Sequence, residues 1–120
     1  MGNPFCHLEL CTDNLGAAKE FYTKVFDWKL SEFPNPDIPY TMIDTGKEPG
    51  GGMMALPDPQ VPVCWTMYVE VSDVAATCAK IKELGGQIFK DPEAIPEVGT
   101  FAIVSDPQGA VFGIWTSAQA

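Results

Sequence analysis

His7, Glu9 and Cys11 occupy alternate positions in the segment Phe5-Cys6-His7-Leu8-Glu9-Leu10-Cys11-Thr12. In a strand, that spacing sends Leu8 and Leu10 to the face that meets a helix and the imidazole, carboxylate and thiol to the other. Histidine and glutamate on one face can exchange protons with a ligand or begin a metal shell. A second segment, Cys64-Trp65-Thr66-Met67-Tyr68-Val69-Glu70-Val71, repeats the pattern 59 residues later and puts Thr66, Tyr68 and Glu70 on the equivalent side. Glu9 and Glu70 stand in otherwise apolar strands, an unusual setting for a carboxylate. Two readings follow. In a pocket of low polarity their pKa values rise and one serves as general acid or base; in a wide, wet cleft both are simply solvated. His7 likewise reads either as a pocket residue or as a histidine hydrogen-bonded to a neighbour. Tyr68 is a candidate for stacking on a flat or cationic ligand, or for filling space.

The composition narrows the partner. The chain has 120 residues, sixteen acids, seven bases and a net charge of −9, and every base is a lysine. An acidic chain with scattered lysines repels a phosphate backbone, so nucleic acid is excluded. Without arginine there is no bidentate clamp for carboxylate or phosphate, and a neutral or cationic small molecule suits the charge better. No apolar run approaches the ~20 residues of a membrane span. Cys6, Cys11, Cys64 and Cys78 form no CxxC pair, and His7 is the single histidine, which argues against a structural zinc module. The first residues show neither a basic nor an apolar leader segment, so the expected location is a reducing cytoplasm with free thiols.

Elements that position these residues are readable from period and punctuation. A strand spans Phe5 to Thr12, and a helix from Asn14 to Trp28 carries Leu15, Ala18, Tyr22 and Val25 at helical spacing behind an Asp13 or Asn14 cap. Three short strands follow near Lys29–Phe33, Tyr40–Asp44 and Gly52–Leu56. The order then restarts: a strand from Cys64, a helix Asp73–Leu84 closed by Gly85-Gly86, and strands near Gln87–Lys90, Thr100–Ser105 and Val111–Thr116. Prolines cluster at 34, 36 and 39, at 57, 59 and 62, and at 92 and 96, which marks loops or edges. The pattern is βαβββ twice, an internal repeat that divides one domain, 1–120, into modules 1–60 and 61–120. Phe26, Trp28 and Cys78 are expected in the core.

Several phrases together carry a resemblance. His7-Leu8-Glu9-Leu10-Cys11-Thr12-Asp13-Asn14-Leu15 precedes Phe21-Tyr22-Thr23-Lys24-Val25-Phe26-Asp27-Trp28. Val71-Ser72-Asp73-Val74, Glu83-Leu84-Gly85-Gly86 and Ser105-Asp106-Pro107-Gln108-Gly109 follow in order. The set resembles the vicinal oxygen chelate superfamily of glyoxalase I, bleomycin-resistance proteins and extradiol dioxygenases, and within it the small bacterial glyoxalase-like proteins. The resemblance implies an α+β fold in which two βαβββ modules make an eight-stranded, half-open barrel with helices outside and a ligand trough within. It also implies a homodimer.

Metal-using members of that superfamily take one ligand from the first and last strand of each module. Carried over, those positions fall on His7, on Thr66, near Gly52 and on Gly113. Only His7 can ligate, so no cofactor is expected from the four-ligand pattern, although His7 with Glu9 or Glu70 leaves a smaller set open. Candidate trough residues are His7, Glu9 and Glu70 for catalysis, and Cys11, Met54, Thr66, Tyr68, Gly113 and Trp115 for binding. The function expected is small-molecule binding without the four-ligand metal site. The alternatives are a glyoxalase-like lyase or isomerase with a divergent site, and a non-catalytic interaction module. True glyoxalase I activity is not expected, because the metal and the arginines for a glutathione conjugate are both missing.

Overall fold

The computed structural model describes residues 2–34, 37 and 39–118. Pro36 of the first proline cluster and Met1 lie outside the described residues. The elements run β1 (Phe5–Thr12), α1 (Leu15–Val25), β2 (Lys29–Glu32), β3 (Thr41–Asp44) and β4 (Gly51–Ala55). The series repeats as β5 (Cys64–Glu70), α2 (Val74–Glu83), β6 (Gln87–Ile95), β7 (Gly99–Ser105) and β8 (Val111–Ser117). The architecture is α+β with βαβββ twice, as the period analysis predicts. Among the described residues no helix is long and apolar enough to cross a membrane.

Two compact units are present. One runs from His7 to Thr66; the other joins the residues up to Cys6 with those from Met67 onward. In the first unit the strands lie in the order β2-β3-β4-β1. β1 and β4 pair in parallel, and the β2–β3 and β3–β4 pairs are antiparallel. Helix α1 supplies the crossover that a parallel pair requires. Its N-cap is Asn14, whose side chain accepts from the Ala17 N–H at 3.0 Å. Leu10, Ile43 and Met53 form the core here, with Leu15, Ala18, Tyr22, Trp28 and Leu30 packed against them. Trp28 therefore takes the expected place. Phe26 does not: the helix ends at Val25, Phe26 turns extended, and 47% of it is exposed. Leu8 also departs from the expected pattern. It shares the Leu10 face by alternation but is 40% exposed.

The second unit has the order β5-β8-β7-β6, with β5 and β8 parallel. Asp73 caps α2 by accepting from the Ala76 N–H at 3.0 Å, and Gly85 takes the left-handed backbone (φ 98°) that ends it. Val71, Val74, Cys78, Ala102, Val104 and Ile114 form its core. Cys78 is buried as expected, and burial pushes its thiol pKa up. Strand β6 is longer than predicted and runs through Pro92. It lies at the end of its unit's strand order and its register slips on both sides of Lys90. A proline is tolerated at such an edge or bulge because no ladder donor is required there.

Candidate functional site

The parallel β1–β4 register sets Glu9 opposite Gly52 and Cys11 opposite Met54. Gly52 matters for what covers it. A Cβ added there would collide with the Tyr40 ring, which lies directly over the backbone. Tyr40 stands just ahead of β3 and reaches the same face as His7 and Glu9. Its hydroxyl is 2.6 Å from His7 Nε2 and donates to Glu9 Oε1 at 2.9 Å. The imidazole and phenol rings are stacked, with centroids 6.1 Å apart and an angle of 27° between them. The thiol of Cys11 points at Glu9 Oε2, 3.9 Å away.

These contacts set the electrostatics. Desolvation lowers the His7 pKa below its usual 6.5, so the neutral ring is favoured at pH 7. Cys11 is pushed up to about 12 by burial first, then by the charges of Glu9 and Cys64 and by its bond to Glu9. That thiol stays protonated and is a poor nucleophile, because the thiolate is the reactive form. Thr66 is buried, with its hydroxyl 4.0 Å from Cys64 Sγ.

The other unit repeats the motif with different chemistry. Tyr68 pairs with Gly113 across β5 and β8, and its ring lies over the glycine so that a Cβ there would collide with it. Phe101 meets the Tyr68 ring edge-on at 6.5 Å. Trp115 spreads over Gly99 and directs its indole N–H at Ser117 Oγ, 3.3 Å away. Glu70 is exposed at the end of β5. Its backbone N–H donates to the Pro4 carbonyl, and its own carbonyl accepts from the Asn3 side chain.

Thus His7, Glu9 and Cys11 are brought together as their alternation predicts, whereas Glu70 ends in solvent. Tyr40 is the member of this cluster that sequence reasoning missed. Its only signal was the glycine at position 52, which told that a side chain was absent but not which ring fills the space.

The superfamily's four-ligand metal shell does not fit these residues. Gly52 and Gly113 offer no ligand, and a tyrosine ring occupies the space above each within its own unit. Thr66 offers only a buried hydroxyl, and His7 Nε2 is already engaged by Tyr40. Among the described residues no group of three or more histidine, cysteine, aspartate or glutamate side chains could hold a metal ion.

Comparison with known proteins agrees with the fold. The chain is 40% identical over 107 residues to CFP32 of Mycobacterium tuberculosis, a match that covers 88% of this chain and 41% of that protein. It is 25% identical over 127 residues to the anthracycline biosynthesis protein DnrV of Streptomyces peucetius, covering 89% and 44% respectively. The chain therefore spans less than half the length of these curated relatives. Among solved structures, hypothetical protein BH1468 of Bacillus halodurans superposes with a TM-score of 0.73 at 14% identity, covering 100% of this chain and 98% of that one. Methylmalonyl-CoA epimerase of Mycobacterium tuberculosis gives 0.69 at 18% identity, covering 96% and 88%. Residues 5–114 match the sequence pattern of one family, so the chain belongs to the Glyoxalase/Bleomycin resistance protein/Dioxygenase superfamily.

Proposed function

We propose that this chain is a small-molecule-binding member of its superfamily that works without the four-ligand divalent metal site. The ligand is a neutral or cationic compound. The observation that carries this reading is the seating of Tyr40 over Gly52 and of Tyr68 over Gly113, where the superfamily resemblance calls for metal ligands. A phenol in place of a ligand side chain supplies a ring face and a hydroxyl instead of a metal bond. The absence of arginine and the net charge of −9 support the ligand class. We further propose that it acts as a homodimer in the cytoplasm.

Metal analysis of protein purified without chelator, together with thermal-shift screening, tests the proposal. The expected results are sub-stoichiometric zinc, nickel and iron, and stabilisation by a neutral or cationic compound. Saturation at one hundred times Kd is worth about 2.7 kcal/mol, well within reach of such an assay. Stoichiometric metal, or stabilisation by anionic compounds only, would overturn it.

A second reading is favoured by the hydrogen-bonded run Glu9–Tyr40–His7, which is also suited to proton transfer in a lyase or isomerase. Under that reading Glu9→Gln abolishes turnover of a substrate found by screening. Unchanged turnover would rule it out.

A further inference from the structure

Among the contacts of this face, the one at Tyr40 has no counterpart in any motif of the sequence. The Tyr40 hydroxyl gives its single hydrogen to Glu9 Oε1 at 2.9 Å. The contact of 2.6 Å between Tyr40 Oη and His7 Nε2 then requires its hydrogen from the ring nitrogen. Hydrogens therefore run in one direction, from Nε2–H to Oη and from Oη–H to the carboxylate. The geometry leaves Tyr40 little choice of position. Its ring rests on Gly52, where any Cβ would displace it, and is stacked on the imidazole.

We propose that Tyr40 is the positioning residue of this site: seated on Gly52, it bridges Glu9 and His7 and holds the imidazole as the Nε2–H tautomer. The inference rests on the metal-free reading above and deepens it. Tyr40 orients His7, the one side chain at a superfamily ligand position that can ligate, together with Glu9 beside it on the same face. Because the Glu9 carboxyl accepts on this face, ligands that donate hydrogen bonds, such as ammonium, amine or hydroxyl compounds, suit it better than carboxylates.

Because His7 is the only histidine in the chain, nitrogen-15 NMR reads its tautomer without interference. At a pH where the ring is neutral, the full chain is expected to show Nε2 protonated and Nδ1 carrying the lone pair. In Tyr40→Phe, which keeps a ring over Gly52 but loses the bridge, the two nitrogens should move toward averaged shifts. Exchange of the Nε2 hydrogen with water should also speed up roughly fivefold, the scale of one lost hydrogen bond. Gly52→Ala keeps the phenol hydroxyl but displaces the ring, and should have the same effect. A folded wild type with the Nδ1–H tautomer would overturn the proposal, as would an unchanged His7 spectrum in folded Tyr40→Phe.

The ligand class is read from the same signals. Benzylammonium should shift the His7 resonances at lower concentration than benzoate, and the reverse order would overturn that part. Metal content tests the earlier reading and the tautomer tests Tyr40, so the two can fail separately.

Discussion

At the scale of single residues, the His7 face of β1 is governed by where hydrogens sit. Cys11 illustrates the consequence for stability. Its thiol is pushed up to about 12 from an ordinary value of 9.0, chiefly by burial and next by the Glu9 charge. Above pH 9 the unfolded chain sheds this proton while the folded chain keeps it, so the unfolded state binds fewer protons and stability falls as pH rises. The loss should continue toward pH 12. Urea titrations at pH 8, 9 and 10 are expected to show a declining midpoint in the wild type and a shallower decline in Cys11→Ala. Parallel slopes would contradict the assignment. His7, Glu9 and Cys11 were legible as one face because strand alternation is a local property. The Tyr40 contact was not, because it joins residues 33 and 31 positions apart in the chain, through a loop without a readable period.

At the scale of elements, Asn14 caps α1, one of the two residues the sequence offered with Asp13, and Asp73, read there as the start of the second helix, caps α2. Asn14 and Asp73 each accept from the N–H three residues on. Either cap changed to alanine should cost about 1 kcal/mol in chemical denaturation. Asp73→Ala should cost the more of the two, because a carboxylate also favours the positive helix terminus. An effect below a few tenths at both would show that packing alone sustains these ends. The helices nevertheless differ in burial. Val74 and Cys78 anchor α2 in its core, whereas α1 has no fully buried residue and leaves Phe21, Val25 and Phe26 about half exposed. The same apolar spacing read from both sequences could not distinguish them. A periodic stripe tells which face is apolar, and the neighbouring strands decide how much of it is covered.

For the molecule as a whole, charge is the dominant long-range feature. Sixteen acids face seven lysines, and the ion pairs Lys19–Glu32, Lys24–Glu20 and Lys90–Glu93 lie at the surface, where each contributes little. Self-repulsion at −9 destabilises the compact state and is screened by salt. Raising ionic strength from about 0.01 to about 0.15 M shortens the Debye length from roughly 30 to roughly 8 Å. The melting temperature should therefore rise over that range in sodium chloride. A flat or falling profile would show that specific ion pairs outweigh the net charge.

The βαβββ order, the strand carrying His7, Glu9 and Cys11, and the first helix's cap, narrowed to Asp13 or Asn14, were determined by the sequence alone. Each depends on residue type, local period or chirality within a dozen or so positions. Tertiary structure decided what fills the space at Gly52 and Gly113, how far β6 extends through Pro92, and that Glu70 ends in solvent. Those outcomes depend on which distant segment packs on a given strand. A glycine records that something approaches closely, but the identity of the approaching ring is written elsewhere in the chain and is realised only when the sheet forms.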